Sequence, residues 1–215
     1  TPPSPEQAHL RPSLVPGLID AVQLNQHHFE YFKLFEQGVV FHALHDQRNY
    51  LAFALAGDDA EKLLLEAKGV LQGLPRLAQC EPFDFVTDAV PGWAEPGLCL
   101  HLRNKADVFG VMGALSVRAK RLAAIKRLNV VIAELNMDSL VPLPSRDNVY
   151  QPLPVYPLVA KDLSVILDDQ VTWARVEALV RPMVRDLAYL TEFRGGNVPE
   201  GKRSLSFRVW LGSNE

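Results

Sequence analysis

Apolar residues recur along this chain at two different periods. In residues 13–29, Leu14, Leu18, Ile19, Val22 and Phe29 fall near one face at helical spacing, with Ser13 as the expected N-cap and Pro16 in the first turn. Two strand-like runs follow, KLFEQGVVFHA and NYLAFALAG, separated by the polar turn HDQRN, and predict an antiparallel hairpin. Residues 58–74 return to the helical period, with acids in the first turn where the helix dipole favours them. PFDFVT, LCLHLR and VFGVMGAL read as short strands, with NKAD as the turn between the last two. VRAKRLAAIKRL reads as a basic helix and NVVIAEL as a closing strand. This order predicts an α+β domain built on an antiparallel sheet with flanking helices.

The pattern breaks at residues 141–157, which hold five prolines and read as an interdomain linker. A new set begins with KDLSVILDD, a strand with Leu163, Val165 and Leu167 on one face. A helix capped by Thr172 and ended by Pro182 comes next, then the strand DLAYLTEFR. SLSFRVWL alternates: Leu205, Phe207, Val209 and Leu211 point inward, Ser204, Ser206, Arg208 and Trp210 outward. The order β-α-β-β is most of a ferredoxin-like βαββαβ unit without its last helix and strand. Arg208 and Trp210 are expected to pack against that further helix.

Between the last two strands lies GNVPEGKRS, which matches G-x-x-x-x-G-K of a phosphate-binding loop at both glycines and the lysine. Arg203 stands where Ser or Thr should hold Mg²⁺. The residues after Lys202 have period two, so a strand follows and no helix N-terminus aims at the loop. The better reading is a β-β connection in which Gly195, Gly196 and Gly201 adopt positive φ. The residues alone leave a merely solvated hairpin and a functional one equally open.

Composition narrows the classes. With 215 residues and 48% hydrophobic content the chain is long enough for a real core and one or two domains. A formal charge of −3 gives no global attraction to nucleic acid, so RNA contact would need a local patch. Cys80 and Cys99 lack metal or CxxC spacing and are expected as reduced core thiols in a cytoplasmic protein. No apolar run is long enough to span a bilayer. The polar start without Met is expected to be a cut inside a longer chain. His42, His45 and Asp46 form only a weak metal set, and His27-His28 suit a helix end. RAKRLAAIKR could touch nucleic-acid phosphates, though a solvated helix face is the ordinary outcome.

YPLVAKDLSVILDD and EFRGGNVPEGKRSLSFRVW resemble the ferredoxin-fold anticodon-binding domain of bacterial phenylalanyl-tRNA synthetase β subunits. Pro157, Lys161, Asp162, Leu163, Gly195, Glu200, Gly201, Arg203, Ser204 and Leu205 fall on that family's pattern. Upstream, LRPSLVPGLIDAVQLN, LFEQGVVF, Lys68-Gly69 and NVVIAELNMDSL are similar to the preceding catalytic-like domain. The resemblance implies residues 1–140 as a degenerate class II synthetase-like domain, 141–156 as linker, and 157–215 as a C-terminally truncated anticodon-binding domain. It implies no aminoacylation by this part, since class II chemistry needs phosphate-holding arginines and the hairpin at 33–57 has only Arg48. GVMGALSVR does not fit the second arginine motif either.

For the assembled enzyme the resemblance implies ATP and Mg²⁺, an α subunit in a complex of two α and two β chains, and tRNA(Phe). It implies no cofactor in this fragment, and neither membrane nor DNA as partner. The helix at 13–29 is the candidate for the subunit interface. Ser204 and Ser164 match anticodon-contact positions, Phe193 is placed to stack on a base, and Arg194, Lys202 and Arg203 flank the turn where phosphates would lie. Thr191 and Phe193 replace the family's Asp and Tyr. The competing functions are a protein-interaction module without useful RNA affinity and a nucleotide-binding loop protein.

Overall fold

In a computed structural model, residues 9–43, 45–104, 107–140 and 157–212 are described. The chain divides into two compact units, Thr1–Asp147 and Asn148–Glu215. The proline-rich linker expected at 141–156 lies outside the described residues.

The first unit contains α1 (Val15–Asn25), β1 (Phe32–Ala43), β2 (Asp46–Gly57), α2 (Ala60–Ala78), β3 (Asp84–Val86), β4 (Ala94–Asn104), β5 (Asp107–Leu115), α3 (Val117–Leu122) and β6 (Asn129–Asn136). The strands form one antiparallel sheet in the order β1-β2-β6-β5-β4-β3. Strand β6 lies inside it and is buried on both faces, which is why its sequence reads as a nearly unbroken apolar run. Val130 and Ile132 join α1, Ala52, Ala54 and Ala56 on one side. Val131, Ala133 and Leu135 join α2, Leu55 and Leu102 on the other.

One polar group interrupts that run. Glu134 faces the α1 side, and its Oε1 accepts the Ser13 hydroxyl at 2.9 Å and the Leu14 N–H at 2.6 Å. A helix start carries unpaired donors, so this carboxylate fastens α1 to the sheet. Ser13 sits one place before the N-cap and also accepts from the Val15 N–H.

Two helices differ from the expected lengths. Helix α1 stops at Asn25, where the Gln26 side chain bonds the backbone of Ala124 and Lys126, and Phe29 lies beyond it, 54% exposed. His27 and His28 therefore occupy the turn after the helix. The basic helix ends at Leu122 and does not reach residue 128. Ala124 takes φ +54 and turns the chain, which lets Ile125 and Leu128 enter the core. Asp59 caps α2 as the acidic start suggested, donating no bond but accepting from the Glu61 and Lys62 N–H groups. Cys80 and Cys99 are buried free thiols.

The second unit contains β7 (Val159–Asp168), α4 (Trp173–Val180), β8 (Asp186–Phe193) and β9 (Lys202–Leu211), with strand order β7-β9-β8. This is the β-α-β-β arrangement of a ferredoxin-like fold. Helix α4 gives way at Val180 to a 3-10 turn containing Pro182. Strand β9 is central, and its Leu205, Phe207 and Val209 pack with Val176 of α4 and Leu187 of β8. Trp173 completes that core edge-on to Tyr189 and tilted against Phe207. Leu211, expected inward, ends the strand 42% exposed and outside the core cluster.

Leu205 is wholly buried. Leu205→Ala should lower the stability of this unit by about 2–5 kcal/mol, and Leu211→Ala by less than about 0.5 kcal/mol. Denaturant titration followed by the amide signals of β9 checks both; equal effects would contradict the burial.

Candidate nucleic-acid interface

Because β9 places odd-numbered residues against α4, its even-numbered ones occupy the opposite face. The cross-strand pairing carries that division outward. Ser204 pairs with Phe193 on β8 and Ile166 on β7; Ser206 pairs with Thr191 and Ser164; Arg208 pairs with Ala188 and Asp162. Lys202 opens the face and lies opposite Asp168. Helix α4 lies on the other side, and among the described residues of the unit no helix covers this one, the open face.

A one-residue irregularity decides what stands beside Ser204. Leu187 and Tyr189 lie on the helix-covered side, and strict alternation would put Thr191 and Phe193 there as well. The register shifts between Tyr189 and Thr191, leaving Leu190 unpaired. That bulge turns Thr191 and Phe193 to the open face and brings Glu192 to the covered one, opposite Leu205. Phe193 is 58% exposed, and Ile166 across the rung 57%. Ser204 thus stands between two apolar side chains, one of them a flat ring. On the next rung the Ser164 and Ser206 hydroxyls lie 2.7 Å apart.

The connecting loop is held from both ends. Gly195, Gly196 and Gly201 have φ of +88, +58 and +75. The Asp169 N–H donates to the Gly201 carbonyl at 3.0 Å, tying the loop to the turn after β7. Lys202 begins β9, so a strand follows the glycine-lysine pair and no helix N-terminus faces it.

The expected site residues separate into two groups. Ser204, Ser164, Phe193 and Lys202 share the open face. Arg203 does not: its side chain, 11% exposed, lies on the covered side, where it bonds Glu192 at 2.6 Å and the Val171 carbonyl. Alternation along β9 is the physical reason, since Arg203 precedes Ser204 by one. Arg194 bonds Glu192 and, at 3.1 Å, Asp169. Those two carboxylates, Glu192 first, hold the Arg194 guanidinium charged beyond its usual range. A phosphate would have to displace them. Glu192, which the sequence reading passed over, is thus the hub of the turn. Its signal was only its place beside an expected contact, on a strand where strict alternation from Leu187 would put it on the open face.

Arg208 and Trp210 lie on the open face, away from α4 and not toward a helix layer as the sequence suggested. The Arg208 guanidinium forks onto Asp162 at 2.6 and 2.8 Å. Hydrogen bonding from Arg208 pulls the Asp162 carboxyl below its usual range.

In the first unit, Arg48 sits on β2 and forks onto Asp46. The arginine of the β1–β2 hairpin is thus paired with a neighbouring carboxylate on the surface. Among the described residues no group of three His, Cys, Asp or Glu is arranged to hold a metal, and no helix is long and apolar enough to cross a membrane.

Residues 1–137 match the family of the phenylalanyl tRNA synthetase beta chain CLM domain. The chain belongs to that family. Residues 154–215 match the ferredoxin-fold anticodon binding domain. Among curated relatives, the phenylalanine–tRNA ligase beta subunit of Lactiplantibacillus plantarum is 28% identical over 97% of this chain and 28% of its own length. That of Gloeobacter violaceus is 30% identical with the same coverage. The chain spans little more than a quarter of those relatives. A pyrrolysyl-tRNA synthetase of Desulfitobacterium hafniense matches in fold, with TM-score 0.52 and 14% identity over 61% of this chain and 48% of that one. The α+β class II synthetase-like architecture and the ferredoxin-fold domain expected from the sequence are those observed.

Deleting Leu190, the unpaired residue, should close the ladder into unbroken alternation and leave Phe193 opposite Ser204 on the open face; persistence of the Phe193–Ser204 cross-strand proximity by NMR checks it, and its loss would contradict the register. Asp162 contributes its stability fully at neutral pH, and the contribution fades as pH falls below about 3.9 through its lowered value. In Arg208→Gln, the Asp162 titration should move back up toward the ordinary carboxylate range; an unchanged low titration would point to another cause.

Proposed function

We propose that this chain is the part of a phenylalanine–tRNA ligase β subunit that serves subunit assembly and anticodon recognition. The observation that carries it is the Phe193–Ser204 rung on an open sheet face, in a unit matching an anticodon-binding family. Anticodon bases are unpaired and splayed, and are read by stacking and by hydrogen bonds to their edges. Phe193 offers the ring. Ser204, Ser206 and Ser164 offer hydroxyls that both donate and accept. Lys202 stands nearest for a phosphate, while Arg194 and Arg203 shape the turn through Glu192 and Asp169.

On this reading residues 1–140 are a catalytic-like domain that performs no chemistry, 141–156 a linker, and 157–215 the anticodon-binding domain. The whole cytoplasmic enzyme attaches phenylalanine to tRNA(Phe), with ATP and Mg²⁺ bound by an α subunit, in a complex of two α and two β chains. Neither a membrane nor DNA is a partner. Helix α1 uses Val15, Leu18 and Val22 on its own sheet, leaving Leu24 and the exposed Phe29, Tyr31 and Phe35 nearby for subunit contact.

One observation favours a second reading, an interaction module with little RNA affinity. The basic groups of the open face are matched by acids: Lys202 lies 3.7 Å from Asp168, and Arg208 is forked to Asp162. The two readings part on titration with tRNA(Phe) at several salt concentrations. Anticodon reading predicts salt-dependent binding that prefers tRNA(Phe) over other tRNAs, and binding about tenfold weaker in Phe193→Ala. Affinity that ignores salt, or equals that for any tRNA, supports the interaction module.

A further inference from the structure

We propose that Arg208 and Trp210 continue the base-stacking surface beyond the Phe193–Ser204 rung, so that the open face takes a run of unpaired nucleotides and not one base. This rests on the anticodon reading of the same face. Both side chains share the face of Ser204, and both are half-buried. From Ser204 to Trp210 the strand covers about 20 Å, at ~3.3 Å per residue, which is longer than one base.

The inner side of the sheet does not account for them. Leu205, Phe207 and Val209 already fill the core beneath α4. In α+β folds helices gather on one face of an antiparallel sheet, so the face bearing Trp210 is not the helix layer. A large indole there, on the central strand, has no part in the core just described.

An alanine flanks each of the two side chains on one side. Trp210 stands between Ala160 on β7 and Asp186 on β8, and Arg208 between Asp162 on β7 and Ala188 on β8. Asp162 grips the Arg208 guanidinium by two bonds, at 2.6 and 2.8 Å, which fixes its plane and satisfies its charge. An arginine so held is a poor phosphate clamp but a rigid stacking plate, and unpaired bases stack on guanidinium planes as they do on aromatic rings. Between the two ends stand the hydroxyls of Ser206, Ser164 and Thr191, which can meet any base edge. The face therefore reads, along β9, as ring, hydroxyls, guanidinium and indole.

The test titrates the full 215-residue chain with the anticodon stem-loop of tRNA(Phe). Trp210→Ala should bind about tenfold more weakly and Trp210→Phe within about threefold of the parent. Arg208→Lys, which keeps the charge and loses the plane, should weaken binding about fivefold without changing the salt slope. A reduced salt slope would instead make Arg208 a phosphate contact and overturn its stacking role. Thermal melting confirms that each variant is folded. Should Trp210→Ala fail to fold, the indole N–H signal of Trp210 in the parent chain serves: it should shift on titration, while a fixed signal overturns the proposal. If Phe193→Ala loses binding while Trp210→Ala and Arg208→Lys keep it, the anticodon reading stands and the extension fails. If all three bind like the parent, the anticodon reading itself has failed.

Discussion

A β-strand has two faces and a fixed period, and in the second unit everything follows from which face of β9 is buried. Leu205, Phe207 and Val209 are held by α4, Leu187 and the Trp173 ring. That commitment sends Ser204, Ser206, Arg208 and Trp210 to the other side. Because β9 pairs with both neighbours, it also sets which residues of β7 and β8 join them. A slip of one residue would exchange the faces wholesale, turning hydroxyls into the core and leucine into water. The hydrophobic term resists that slip strongly, so a polar, open face is enforced by the burial of its opposite.

The bulge at Leu190 is the one place where this rule is locally broken, and it is broken beside the proposed contact. It exchanges Glu192 for Thr191 and Phe193 on the open side. Glu192, once inside, finds both Arg203 and Arg194, so the residue removed from the open face becomes the anchor of the glycine turn. One inserted residue thus exposes a ring and braces the loop that follows it. The first unit uses a carboxylate in a related way: Glu134 enters a buried strand and is satisfied by the start of α1. In both units an acid on a strand fixes a neighbouring element and takes no part in chemistry.

Much of the fold was legible because each strand and helix carries its period plainly. The alternation of SLSFRVWL and the unbroken run of NVVIAEL placed β9 and β6. The turn glycines were legible for a different reason, since positive φ narrows the choice of residue. What escaped were effects that depend on a partner far away in sequence. Helix α1 ends early because Gln26 meets Ala124 and Lys126, and the basic helix ends early because Ile125 and Leu128 belong to the core. The bulge is invisible in DLAYLTEF, whose residues suit either register. Arg203 looked like a phosphate ligand because it borders the turn, and only the parity of β9 shows it facing Glu192. Alternation had already set Trp210 with Ser204, but not that the helix layer lies on the opposite face.

The central claim is that the face opposite α4 receives RNA. Amide chemical-shift mapping of the chain with and without the anticodon stem-loop of tRNA(Phe) tests it most directly. The account predicts shifts concentrated at Ser164, Phe193, Ser204 and Ser206, with the residues of α4 left in place. Shifts centred on α4, or spread evenly over both units, would contradict it.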